Sequence, residues 1–298
     1  MAGEYDWTLT DAPKKAQLTG VESAGDSAFV TGKRGLLAER SREGKWRALF
    51  DTGATGDGRG LLDLSLTDDG ERVWFSGYSG SFGYYDRVSG TTEPHAGPYD
   101  LTSNLCSVTV RGDAGEEAVH AVDRSGRALR IRMDGGALQV KGVSVPGDGT
   151  GFTEIVDDDG VLYAADESGQ LYRSADGRRW ETGRLAETTV MALSRTDAGL
   201  VAVDDGGTVF KHISLFGEGK RTKRTRPGIS APQELEALGE RIVAVGDGGS
   251  VLVITEDGRA VRGASGTGKT LYAAEVMADG TVIAAGAAGV ITEGSPRR

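Results

Sequence analysis

A seven-bladed β-propeller, all-β and closed by its own N-terminal strand, is the fold this sequence predicts. Three observations carry the prediction: a strand–turn–strand signal recurs seven times, its copies lie near forty residues apart, and a glycine closes every turn. The copies read AFVTGKRGLLAER, VWFSGYSGSFGYYD, VHAVDRSGRALRI, LYAADESGQLYRS, LVAVDDGGTVFKH, IVAVGDGGSVLVI and VIAAGAAGVITEG. Each turn opens on Gly or Asp. The closing glycines are Gly35, Gly80, Gly126, Gly169, Gly207, Gly249 and Gly289, separated by 45, 46, 43, 38, 42 and 40 residues. Strand-rich repetition at that period signals one four-stranded antiparallel sheet per repeat.

The blades follow in order. Blade one spans 18–50 with KWRALF as its outer strand, blade two 61–93, blade three 105–141 and blade four 151–183, ending in RRWETG. Blade five spans 190–226 and blade six 232–263. Blade seven, 271–294, supplies three strands, and the fourth is expected from the other end of the chain. DWTLT (Asp6–Thr10, within 5–10) carries a tryptophan followed by alternating residues, as do the outer strands around Trp46 and Trp180. Pairing it there closes the ring and removes bare sheet edges. Residues 1–298 then form a single domain.

Composition agrees. Of 298 residues, 47 are glycine, and they cluster at turns, where a positive φ costs glycine nothing. No apolar run reaches the roughly 20 residues that span a bilayer, so no membrane insertion is expected. MAGEYDWTLTDAP lacks the basic and apolar regions of a secretory signal, which makes the expected location cytoplasmic or a virion assembled inside a host. Cys106 is the single cysteine, so no internal disulfide framework is possible. The net charge of −10, with 25 Arg against 9 Lys, is that of an acidic protein adapted to high salt or encoded by a GC-rich genome. Such a surface argues against nucleic acid as a partner.

Ser174-Ala-Asp176-Gly177-Arg-Arg-Trp180 resembles the Asp-box, the S-x-D-x-G-x-T-W turn of BNR-repeat propellers, in a form one residue shorter. Ser41-Arg-Glu43-Gly44-Lys-Trp46 is a degraded copy, and Thr255-Glu-Asp257-Gly258 keeps only the acid and the glycine. In such a turn the Asp accepts backbone N–H bonds and the Trp packs between blades. The chain thus resembles the BNR/Asp-box group, which includes photosystem II stability-factor-type and sialidase-type propellers. Similar propellers occur in salt-loving archaea and their tailed viruses. The architecture covers the whole chain, whereas the motif covers one blade well and two poorly.

Gly263-Ala-Ser-Gly-Thr-Gly268-Lys269-Thr270 matches the Walker A pattern. A working P-loop needs a helix after it and a later strand ending in Asp, and only 28 residues follow Thr270. The segment is expected to be one more glycine-rich connector, like DTGATGDGRG and GDGTG. His95, His120 and His212 fall in unrelated blades without metal-ligand spacing. Asp157-Asp158-Asp159 and Asp68-Asp69 precede glycine, which is turn chemistry. Asp51, Asp57 and Asp148 lack the alternation of a calcium loop. No cofactor, metal or catalytic residue is expected, and a sialidase-type site would need an arginine triad gathered at the channel.

Second-to-third-strand turns and blade-to-blade connectors share one face of a propeller. There Tyr78, His95 and Tyr99 are candidate partner anchors. Arg34 and Arg124, with Lys33, form a basic arc opposite an acidic arc of Asp166, Asp205, Glu167, Asp204 and Asp247. The run Lys220, Arg221, Lys223, Arg224 and Arg226 reads as a charged outer edge and, secondarily, as a stripe for an acidic partner. The expected function is a non-catalytic binding or scaffold subunit of a larger assembly, a virion surface, tail or host-recognition component first. The alternatives are a cytoplasmic assembly factor and a sialidase-like protein that binds or hydrolyses glycan. The expected partners are other protein subunits, with a glycan or cell-surface receptor as the other possibility.

Overall fold

The computed structural model describes residues 5–95, 97–213, 215–216, 222–239, 241–254 and 260–297. Lys220, Arg221 and the Thr255–Gly258 turn lie outside the described residues. The chain folds as a seven-bladed β-propeller of four-stranded antiparallel sheets. From the channel outward, blade one comprises Leu18–Ala24, Ser27–Gly32, Leu36–Arg40 and Trp46–Phe50. Blade two comprises Leu61–Leu66, Arg72–Gly77, Phe82–Asp86 and Thr91–Pro94; blade three Leu105–Arg111, Ala118–Asp123, Ala128–Asp134 and Ala137–Ser144. Blade four comprises Phe152–Asp158, Val161–Asp166, Gln170–Ser174 and Glu181–Arg184; blade five Val190–Thr196, Gly199–Asp204, Val209–Lys211 and Lys223–Thr225. Blade six comprises Pro232–Leu238, Arg241–Gly246, Val251–Ile254 and Ala260–Gly263; blade seven Leu271–Val276, Val282–Gly286 and Val290–Pro296.

The N-terminal strand Tyr5–Asp11 completes blade seven, antiparallel to Val290–Pro296 with Trp7 opposite Gly294. The tryptophans of the outer strands work between blades. Trp7 lies where a Cβ on Gly263 of blade six would stand 2.8 Å from its ring. Trp46 of blade one donates its Nε1–H to Glu293 of blade seven at 3.2 Å, and Trp180 of blade four donates to Ser144 of blade three at 3.2 Å. Glu293 also takes a two-pronged bond from Arg40, so the seam where the ring closes is tied by an indole, a guanidinium and one carboxylate. The core is correspondingly divided into inter-blade layers of Val, Leu, Ile, Ala and Phe.

The two turn openings seen in the sequence are two physical solutions. Where the turn opens on Asp, the carboxylate is buried and accepts backbone N–H groups: Asp123 from Ser125 and Arg127, Asp166 from Ser168 and Gln170, Asp204 from Thr208. Where it opens on Gly, the second central residue and the closing glycine take positive φ, as at Ser79 (52°) and Gly80 (72°). The opening glycine admits no side chain, because a Cβ on Gly77 would stand 2.3 Å from the Gly60 carbonyl oxygen. The Ser174–Trp180 turn has the geometry its residues imply: Asp176 Oδ1 accepts the N–H groups of Arg178 and Arg179 at 2.8 and 2.9 Å.

Candidate functional site

Every innermost strand carries a β-bulge after its first residue. The register skips from Leu18 to Gly20, Leu61 to Asp63, Leu105 to Ser107, Phe152 to Glu154, Val190 to Ala192, Pro232 to Glu234 and Leu271 to Ala273. The extra residues are Thr19, Leu62, Cys106, Thr153, Met191, Gln233 and Tyr272, and all seven line one vestibule of about 490 Å³ at the upper mouth of the channel. A bulge re-aims a side chain and ends ladder pairing, so it is the device by which each blade contributes one residue to a common opening. Thr19 and Thr153 hold their hydroxyls on the carbonyls of Leu61 and Ala165, at 2.9 and 3.1 Å. The buried Cys106 thiol points at the Phe152 carbonyl, 3.1 Å away, and burial holds it protonated well above its ordinary range.

Beneath the bulges stand two tiers of carboxylates. The residue after the bulge is acidic in three blades (Asp63, Glu154, Glu234), and the residue two further on, on the same side of its strand, is acidic in three (Glu22, Glu236, Glu275). These groups take up inner-edge N–H groups and serine hydroxyls. Asp63 accepts Leu64 N–H at 2.8 Å and Val108 N–H of the next blade at 2.9 Å. Glu236 accepts Ala237 N–H at 2.8 Å and the Ser194 hydroxyl at 2.9 Å, while Glu275 accepts the Ser23 hydroxyl at 2.7 Å.

Burial holds all six in the protonated direction, and repulsion from acidic neighbours adds to it in four. Burial takes Asp63 up to about 6 and Glu236 up to about 7. Glu22, Glu154, Glu234 and Glu275 rise well above the carboxylate range through burial first and their acidic neighbours second. Two arginines line this channel among the described residues, one at each end, and both are engaged elsewhere. Arg124 binds Glu167 at 2.5 Å, and Arg195 binds Asp158 and Asp159 at 2.8 and 3.0 Å. An arginine triad is not assembled there.

The residues singled out on the upper face do not form one patch. Arg34 and Asp205 are exposed on their turns. Tyr78 is half-buried, its ring packed over Gly60 and 6.0 Å from the Lys33 ammonium. Tyr99 is 64% exposed at a positive φ of 56°, in a turn that lies outward against the outer strand of blade three. Two residues are corrected. His95 stacks on Trp74 and lies tilted against Tyr84, with centroids at 6.3 and 5.9 Å, and burial holds its pKa below the usual value, so its ring is a packing group against the aromatics of its own blade. Asp166 is 1% exposed and bound to its own turn and to the Tyr172 hydroxyl, so it presents no charge to a partner. Arg124 and Glu167, taken from opposing arcs, neutralise each other.

Other motifs resolve locally. The Walker-like segment runs straight into the strand Leu271–Val276 with no helix, and Ser265 Oγ donates to the Gly249 carbonyl at 2.6 Å. Asp57 and Asp148 accept turn N–H groups from Arg59 and Thr150. His120 is driven down to about 4 by burial and by Arg130 and Arg111. Lys223, Arg224 and Arg226 lie on or beside the outer strand of blade five.

No family model and no curated protein sequence matches the chain. Among solved structures, it is similar to a catalytically inactive virginiamycin B lyase from Staphylococcus aureus crystallised with quinupristin (TM-score 0.82, 14% identity, 99% of this chain and 100% of that one). It is also similar to YCF48 from Cyanidioschyzon merolae (TM-score 0.76, 15% identity, 97% and 98%), a protein also solved bound to D1 peptide. A third is the Cps50 (Swd1) β-propeller domain of Myceliophteria thermophila (TM-score 0.75, 15% identity, 98% and 100%). A lyase and a propeller solved with a bound peptide share this shape, so the likeness establishes the seven-bladed fold and leaves activity to the site itself.

Proposed function

We propose that the protein is a non-catalytic binding propeller, a subunit of a larger assembly that docks a protein segment at the upper mouth of its channel. The bulge ring carries this reading. Seven blades each spend a ladder irregularity to aim one side chain at a common vestibule, and those side chains are apolar, thiol, amide, hydroxyl and phenol groups. The acids below are held by backbone and serine donors, and the channel arginines are paired away from them, so no nucleophile–base or acid–base pair is poised for chemistry. A propeller of the same shape, YCF48, takes a peptide. The assembly reading extends to a particle such as a virion, with a cytoplasmic complex as its other form; sedimentation of the native protein with or without particles separates them.

The test is site-specific photocrosslinking in the native source. A crosslinker replacing Gln233 or Met191 should trap one discrete partner, and one replacing Arg47 on the outer strand of blade one should not. Tyr272→Ala should weaken retention of that partner roughly tenfold or more, as a buried aromatic anchor does. Equal trapping from both positions would remove the mouth from consideration.

A further inference from the structure

Blade five faces blade four across a second cavity, of about 350 Å³, well out from the channel. Its floor is apolar: Phe210 and Leu185 are 2% and 1% exposed, and Leu185 and Ala186 are fixed by N–H bonds to the Gly169 carbonyl. Over this floor stand Arg224, on the outer strand, and Arg226, just past the strand's end, both lining the cavity. The Arg224 guanidinium lies 5.3 Å from the Phe210 ring centroid and reaches the Leu185 carbonyl through one long bond of 3.4 Å. Arg226 gives its Nε–H to the Thr208 hydroxyl at 3.3 Å. Neither arginine has a carboxylate within 4.0 Å among the described residues, although the protein carries ten more acids than bases. The acids of the cavity are otherwise engaged. Asp204 is buried and accepts Thr208 N–H at 2.7 Å, while Glu187 stands out in solvent beside Arg184.

We propose that this cleft is a carboxylate-binding pocket that receives an acidic side chain of a peptide. The arginines would fork onto the carboxylate, with most of their N–H donors unused among the described residues, and Phe210, Leu185 and Ala186 would cover the methylenes. Stacking on Phe210 holds the Arg224 plane in place and lowers the ordering cost of the bond. The pocket is separate from the mouth, and its test uses isolated peptide, so it stands or fails apart from the docking reading above.

Acetyl-tetraglutamate amide is titrated into the whole protein by NMR or calorimetry, beside acetyl-tetraglutamine amide and inorganic phosphate. Binding of the glutamate peptide alone is expected, weakened roughly tenfold in R224Q/R226Q and several-fold in R224K/R226K, where charge stays and the fork is lost. Arg47→Gln should leave it unchanged. Glu187→Gln keeps the test open if the double variant misfolds, because removing the rim charge should tighten the peptide about two- to threefold. Equal binding of both peptides, tighter binding of phosphate than of peptide, no change in R224Q/R226Q, or no gain in Glu187→Gln would overturn the proposal.

Discussion

Asp166 shows how one residue type serves opposite purposes on the same face. Asp205 extends into solvent, whereas Asp166, at the head of its turn, is enclosed and accepts two N–H groups, the Ser168 hydroxyl and the Tyr172 hydroxyl. Leaving those donors without an acceptor is the expensive step, because a buried unmade bond costs the desolvation of the group that lost it. Asp166→Ala should therefore cost about 2–4 kcal/mol, beyond an ordinary surface change. Asp205→Ala should stay within about 0.5 kcal/mol of the parent. Urea unfolding followed by tryptophan fluorescence distinguishes them, and equal midpoints would return Asp166 to the surface. Their places in the repeat separate them: Asp166 opens its turn, as Asp123 and Asp204 do, and that position is buried in all three, whereas Asp205 stands second in its turn and is exposed.

At the scale of elements, the closing strand was legible and the bulge ring was not. Six complete blades and three strands of a seventh leave one strand to find, and DWTLT has the tryptophan of the other outer strands, so Tyr5–Asp11 follows from counting and local pattern. The bulge residues share a position and no chemistry: Thr, Leu, Cys, Thr, Met, Gln and Tyr form no motif. Aligning the repeats on the buried first residue of each inner strand would have exposed the acids two positions on, in Asp63, Glu154 and Glu234. Removing residues 1–11 leaves Val290–Pro296 a bare edge and uncovers the faces that Trp7 shields at Gly263 and Gly294. A loss of roughly 10 °C or more in Tm, or of soluble protein, is expected. An unaltered melting curve would show that the seventh blade holds without its fourth strand.

The whole ring answers to pH through its channel. Six carboxylates from five blades face a narrow common space, with Arg124, Glu167 and Tyr272 at the upper end and Asp157 and Arg195, the latter paired with Asp158 and Asp159, at the lower. For the six, the folded pKa lies above that of the unfolded chain, to about 6 at Asp63 and about 7 at Glu236. The folded state therefore binds more protons, and the stability this confers is full below the unfolded values near ~4 and is lost as pH rises through the folded ones. The turn carboxylates Asp69, Asp86 and Asp176 are shifted the other way by their N–H and hydroxyl donors, so their contribution is present above ~4 and vanishes as pH falls through their lower folded values. The two families place maximal stability in the mildly acidic range and predict a falling Tm from pH 5 to pH 8, by on the order of 5 °C. Glu236→Gln should raise Tm at pH 8 and flatten that slope while leaving the acid limb unchanged, because it removes a charge the channel does not neutralise. Differential scanning calorimetry across pH 3–9 reads both limbs. A Tm that rose between pH 5 and pH 8, or a Glu236→Gln protein less stable than the parent at pH 8, would mean that the channel acids find a cation when ionised.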